Sequence, residues 1–512
     1  MAPPLLGVPL EVLLQITSYL TTPEFGNFRL TCTNIEAALF RAFTIEYFTK
    51  RQFTLTEFSI QALVDIARSR LGSVLTHLII HLEHPVTDYY PGAPVLGIGG
   101  IPLRPQDQNA LVEAATSHRE FTCTGLDFEM LSDAMRHLPN LETIGMRDFN
   151  SNTRRRDGTS WRSYGTPTYE QRSKSTMKLP AHSVHRRGPD AGLDYVWYTF
   201  LTILRAIGQS NANPNLTRLE ILLHRCSLQD HAFKLPRHLE ANILSALGKF
   251  QTIYLDSLCL NRHVRAVSAN NPVFSTSHYL SRFLAKATDV RNLRLNFQNY
   301  DYEATNDLLL WLAGAVPVTA ASQVAAADSL PDCFPPRPSF SNLQSLDIGM
   351  ATVSPRTLVA LYRRFKSTLR SISLHKIALN YTHGSKINHW SLLLSDMAKS
   401  DLGLTNIQLS YVRQLAHGSH QPVSFGNGSV TFNSTKDRSI MTWSGTNFSR
   451  SLKDITSKME VDWESQSSDN DFDDDDDDDS DEDNEDDGDS EYGDEDEDEE
   501  MDGVGHDHLI SS

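Results

Sequence analysis

Two blocks of charge, and no catalytic motif, set the chemistry open to this chain. From Asp469 to Asp502 stand 25 acidic residues with no lysine or arginine. From Ser151 to Pro189 the balance reverses. Nine basic residues, among them Arg154, Arg155, Arg156, Arg162, Arg186 and Arg187, meet only Asp157 and Glu170, and Trp161, Tyr164 and Tyr169 lie between them. Guanidinium groups mixed with aromatic rings suit phosphate or an acidic peptide, and nucleic acid is the partner least expected. The same mix also suits a solvated loop. The acidic block has almost no apolar residue and cannot fold alone, so a disordered tail is expected over 461–512, able to hold a basic protein. Ser468 and Ser480 each have an acid three residues on, a context for phosphorylation by an acid-directed kinase. The two blocks could also meet each other, in a contact that salt would weaken. Phosphate-binding loops, nucleophile elbows, paired zinc-binding histidines and dinucleotide fingerprints are all missing from the sequence. His81/His84 and His506/His508 lack further ligands at suitable spacing. No catalytic residue, metal or cofactor is therefore expected.

Setting the block from 469 to 502 aside leaves 46 basic against 64 − 25 = 39 acidic residues, so the body is about +7. Hydrophobic residues at 40% suffice for a large packed core in 512 residues. The N-terminus has no basic lead, and no run approaches the roughly 18 apolar residues of a membrane span. Cys32, Cys123, Cys226, Cys259 and Cys333 are odd in number and far apart, which fits core thiols better than disulfides or zinc. A cytoplasmic or nuclear protein is expected, with no membrane partner.

The first elements that must position a binding surface lie between residues 8 and 47. Pro9 can open a helix at little cost. Leu10, Leu13 and Leu20 then fall on one side and Val12, Ile16 and Tyr19 on another, so this helix needs cover on both. Thr22-Pro23-Glu24 restarts a helix with Phe25, Phe28 and Leu30 as its apolar face. Thr33 and Glu36 fit a capping box leading into a third helix through Leu39, Phe43 and Tyr47. Three such helices are too small to hold a core alone.

The pattern Val8-Pro9, Val12-Leu13, Ile16, Tyr19-Leu20, Phe28-Arg29-Leu30 and Cys32 resembles an F-box. Val8 replaces the usual leucine, and the tryptophan expected at the end of the third helix is replaced by Phe40 or Phe43. The segment from Arg51 to Gly72 resembles the stretch directly after the F-box in fungal proteins of this kind. The resemblance implies a non-catalytic receptor that binds a Skp-type adaptor, and through it a cullin scaffold, while holding an unidentified target protein. Val8, Pro9, Val12, Leu13, Ile16, Leu20, Phe28 and Leu30 would then bind the adaptor. The alternative is a scaffold or chaperone-like protein that uses the adaptor without ubiquitin transfer.

Further along, one phrase recurs, apolar-x-x-apolar-x-apolar, starting at Leu75, Leu141, Leu216, Phe250, Val290, Leu343, Leu369 and Leu404. Its last three positions alternate as in a strand with one buried face. Helical stretches separate later phrases, at Tyr195–Ile207, His238–Leu247, Tyr279–Ala287, Ala304–Ala313, Pro355–Phe365 and His389–Met397. The alternation resembles leucine-rich repeats, although the phrases start 26 to 75 residues apart. A doubly wound parallel sheet shares the pattern. The expected fold is α/β: a three-helix F-box over 1–50, a linking helix and strand over 51–85, and an irregular leucine-rich-repeat-like solenoid over 86–460. Loops are expected near 86–105, 150–190 and 316–340. Strands within Val423–Phe432 and Ser439–Trp443 and a helix over Asn447–Met459 would close it.

Overall fold

The computed structural model describes residues 4–85, 104–150, 161–180, 195–210, 214–260, 263–266, 272–275, 278–298, 302–315, 338–381, 386–400, 402–416, 419–425, 439–446 and 448–463. The residues from 464 onward, Ser468 and Ser480 included, lie outside them, as do most of the expected loops at 86–105 and 316–340.

All eight phrases form strands of one sheet. Its path runs β1 (Lys50–Thr54), β2 (His77–His81), β3 (Thr143–Arg147), β4 (Arg218–Leu222), β5 (Thr252–Cys259), β6 (Asn292–Phe297), β7 (Ser345–Gly349), β8 (Ser371–His375), β9 (Asn406–Ser410) and β10 (Ile440–Ser444). Pairing is parallel from β1 to β9, and β10 closes the row antiparallel to β9. Each strand lies beside its predecessor in the chain, with no switch point. That order separates a solenoid from a doubly wound sheet, whose strand order reverses. Right-handed crossovers that always advance one way also put every connecting helix on the same face.

Register explains how unequal spacings give one regular sheet. Leu78, Ile144, Leu219, Ile253, Leu293, Leu346, Ile372 and Ile407 stand in one row across the strands, each at most 1% exposed. A second row lies two residues on, from Ile80 to Leu409. Each such side chain is worth about 1.5–3 kcal/mol on burial. The strands are therefore locked in phase, and the variation in length falls in the connections. Against this face pack α4 (Glu57–Arg68), α5 (Pro105–Cys123), α6 (Leu126–Arg136), α8 (Tyr195–Gln209), α9 (Arg237–Leu247), α10 (Tyr279–Ala285), α11 (Tyr302–Leu312), α12 (Pro355–Arg364), α13 (His389–Lys399) and α14 (Phe448–Ser457). From α10 to α14 each helix touches the next. The α5–α6 pair was not legible in the sequence.

Four strands carry the same unusual step, β5 within its length and β7, β8 and β9 directly after their last residue. Ser257, Met350, Lys376 and Tyr411 each come two residues after the second buried strand position, and each has φ between 50° and 59°. A side chain in this left-handed region costs roughly 1–2 kcal/mol. At Met350, Lys376 and Tyr411 the backbone N–H still reaches the next strand's level, donating to His375 O, Ser410 O and Ser439 O. The chain then turns into short strands at Thr352–Val353, Ala378–Leu379 and Arg413–Ala416, which form a second sheet.

Two expectations need correction at the N-terminal end. The sheet begins at Lys50, and Phe53, Ile60 and Leu63 are buried in the main core, so residues 51 to 85 form the first repeat and not a link to it. Residues 161–180 are not an open loop. Tyr164 donates its N–H to Gln52 O at 2.8 Å and its ring lies against Phe53 and Phe58, before the chain enters α7 (Thr166–Ser173). This segment covers the edge strand β1, where bare ladder groups would invite pairing with another chain. Ser59 Oγ donates to Tyr164 O at 2.7 Å, and Gly165 at φ +96° leaves the room, since a Cβ there would meet Ser59 at 3.0 Å.

Candidate functional site

Residues 10 to 48 fold as three helices, α1 (Leu10–Ser18), α2 (Thr22–Arg29) and α3 (Thr33–Phe48), around a small core of Leu13, Phe25, Ile35, Leu39 and Tyr47. The caps differ in detail from those expected. At α2 the cap is Thr21, and Glu24 accepts both its N–H and its hydroxyl at 2.9 Å, bonds that hold the Glu24 carboxyl below its usual range. Glu36 does not close a capping box with Thr33. It pairs with Arg29 at 3.1 Å and with Arg70, tying α3 to the turn after α4. Trp161, from the basic segment, also packs against this core, with the Arg51 guanidinium 5.3 Å from its ring centre.

The eight residues expected to bind an adaptor divide by burial. Leu13 is 5% exposed and belongs to the module's own core, and Val8, Leu20 and Phe28 are half-buried against it. Pro9, Val12, Ile16 and Leu30 are exposed. Leu30, expected on the inner face of α2, is instead 67% open. Leu10, Leu14 and Tyr19 are exposed as well, Leu10 and Leu14 on a different flank of α1 from Val12 and Ile16. Val12, Ile16 and Tyr19 recur at helical spacing, so they lie on one stripe. The two-sided helix read from the sequence thus has one side covered by α3 and the other bare.

Of the six arginines singled out in the basic segment, only Arg162 lies among the described residues, and it pairs with Glu170 at 2.6 Å. Arg154, Arg155, Arg156, Arg186 and Arg187 fall outside them. His81 is buried beside Glu83 and His84 stacks on Tyr195 at 4.1 Å. No group of three or more ligating side chains that could hold a metal ion occurs among the described residues. None of the described helices is long and apolar enough to cross a membrane. Cys226 is buried, but Cys123 is exposed at the end of α5, where a core thiol was expected.

The sheet face away from the helices was not legible in advance. On β2 to β4 it is covered: Ile79, His81, Arg147 and Glu220 are each at most 6% exposed. From β6 onward it opens. Arg294 lies 4.5 Å from the Tyr254 ring centre and 3.4 Å from Asp347. Beyond that pair the face carries Ser371, Ser373, His375, Asn406 and Gln408, half-buried on β8 and exposed on β9.

A buried polar cluster joins α5, α6 and α8. The Tyr198 hydroxyl lies 2.7 Å from Asp127 Oδ2, and burial raises the Asp127 pKa. His118, 6% exposed and near His84, has its pKa pushed down to about 4 by burial. An unfolded histidine titrates near 6.5, so between 6.5 and about 4 the unfolded chain binds a proton that the native state refuses. Stability should therefore fall as pH drops through that window, by roughly 3 kcal/mol from this group. Thermal melts across it should show a shallower loss for His118→Gln than for the wild type.

No family model and no curated protein matches the chain. Among solved structures, the yeast Rad7 and Elc1 complex is similar at 11% identity, covering 77% of this chain and 85% of that one with a TM-score of 0.25. A likeness that loose says nothing about function.

Proposed function

We propose that this chain is a non-catalytic substrate receptor of a Skp–cullin–F-box ubiquitin ligase, with residues 8 to 48 as the F-box. The observation that carries the reading is the bare apolar stripe of α1, on a module whose core is already filled from its other side. An exposed row of large apolar residues marks a surface awaiting a partner. The order of the hydrophobics around it is the one the F-box resemblance supplies, and the partner is then a Skp-type adaptor. The solenoid would hold the target where a charged ubiquitin-conjugating enzyme can reach its lysines, an effect of proximity. Cytoplasm or nucleus is where such a complex works.

The acidic tail favours a second reading, a Skp-bound scaffold or chaperone-like protein whose tail holds a basic partner. Co-purification from cells separates the two. The receptor reading expects both the adaptor and a cullin in the same complex. Adaptor without cullin would support the scaffold, and absence of the adaptor would end both.

A further inference from the structure

We propose that the open face of β8 and β9, together with Lys376 and Arg413 at its rim, docks an extended acidic peptide. That the peptide belongs to a ubiquitination target rests on the receptor reading; the docking itself does not.

The first ground is unused hydrogen-bonding capacity. Among the described residues, the side chains of Ser371, Ser373, Asn406 and Gln408 make no hydrogen bond within the protein. Register sets Ser371 opposite Asn406 and Ser373 opposite Gln408, so the four form a compact square on one face. A carboxamide both donates and accepts, which matches the N–H and C=O of a peptide backbone. Without a large aliphatic anchor, this square suits a polar strand better than an apolar helix.

Charge is the second ground. Among the described residues this face carries no carboxylate on β8, β9 or β10, and the acid next along, Asp347, is held by Arg294. Lys376 and Arg413 make no ion pair, and register places Arg413 beside Ala378, two residues after Lys376. An incoming carboxylate would meet two cations that no ion pair occupies, the nearest acid in register with Arg413 being Asp462, two strands away across Pro422.

The third ground is strain. Lys376, like Met350 and Tyr411 on the flanking repeats, occupies a left-handed step that glycine would take more cheaply. Tyr411 is 37% exposed and meets His375 edge-on at 5.8 Å, which places this rim beside the open face. Side chains kept in costly backbone positions over three successive repeats point to a role for what they display.

Fluorescence anisotropy with the full chain tests the proposal, using a fluorescein-labelled peptide of alternating Glu and Ser and its Lys-Ser counterpart. Alternation puts all the acids on one side of an extended strand. The Glu-Ser peptide should bind and the Lys-Ser peptide should not. Lys376→Gly and Arg413→Ser should each weaken binding by about threefold to tenfold. Lys376→Gly should at the same time raise the melting temperature, an outcome that a purely structural lysine would not give. Arg363→Ser, exposed on α12, should change little. Equal binding of both peptides, equal weakening by Arg363→Ser, or no weakening by either rim variant would overturn the proposal. Val12→Glu on α1 should leave peptide binding intact. Loss of adaptor binding therefore speaks only to the receptor reading, and loss of peptide binding only to the docking surface.

Discussion

Replacing Val12 and Ile16 together by glutamate should cut capture of a Skp-type adaptor by at least about 100-fold while the melting temperature stays unchanged. Both side chains are bare in the free chain, at 43% and 37% exposure, so folding gains little from them. Burial against a partner would be worth roughly 1.5–3 kcal/mol each, and about 2.7 kcal/mol already corresponds to a hundredfold. Two carboxylates in an apolar contact add a desolvation penalty. Leu13→Ala provides the contrast. Leu13 fills the core between Phe25 and Leu39, so its truncation should cost about 2–5 kcal/mol of local stability and weaken capture by loosening the module. Calorimetric titration with the adaptor, alongside circular dichroism, distinguishes the two effects. Capture by the double glutamate variant within a few-fold of wild type would remove the α1 stripe as the docking face.

These two variants also show what the sequence could and could not say. Period-3.6 spacing marked α1 as apolar on two sides, but only the packing of α3 decides that Leu13 faces inward and Val12 outward. Leu30 looked like part of an inner face and stands open, because α2 ends at Arg29 and the chain has already turned. In the repeats the reading carried further. Buried alternation is local, so all eight strands could be found from three apolar positions each. The spacing argued against a regular repeat, yet register depends on the strands and not on the connections, and unequal connections of α4 through α13 are absorbed on one face. Helices α5 and α6 escaped notice because α5 spreads its few large apolar residues, such as Leu111 and Phe121, among polar ones. The cover over β1 was hidden for a similar reason. Its arginines and aromatic rings read as a binding loop, whereas Trp161 and Tyr164 serve as packing and Arg162 is paired with Glu170. The open face from β6 to β9 could not be read at all, since polar strand positions look alike whether covered or free.

Asp148 is the residue whose importance is least visible in the sequence, and Asp148→Ala should lower stability by about 3–5 kcal/mol. It comes directly after β3 and is 2% exposed. Its carboxylate accepts three backbone N–H groups from the turn after β4: His224 at 2.8 Å, Arg225 at 2.7 Å and Cys226 at 2.6 Å. Hydrogen bonds to a charged group contribute roughly 1.5–3 kcal/mol each, and a donor left buried without one costs about 1–3 kcal/mol. Cys226 is buried with its N–H, while His224 and Arg225 have exposed side chains beside which water can recover part of the loss, which sets the total below three full bonds. Asp148→Asn keeps the shape but replaces one acceptor oxygen by a donor facing N–H groups, so it should still cost about 2 kcal/mol. At about 1 °C of melting temperature per kcal/mol for a unit spanning Met1–Glu464, thermal denaturation still resolves both variants. The loss should centre on the junction of β3 and β4, where the Phe149 ring stacks on His224 at 3.8 Å, and hydrogen exchange of the Cys226 amide should rise first. Unchanged exchange there in Asp148→Ala would mean that the turn holds its shape without the carboxylate, and that the stacking and the two buried rows of the sheet fix it unaided.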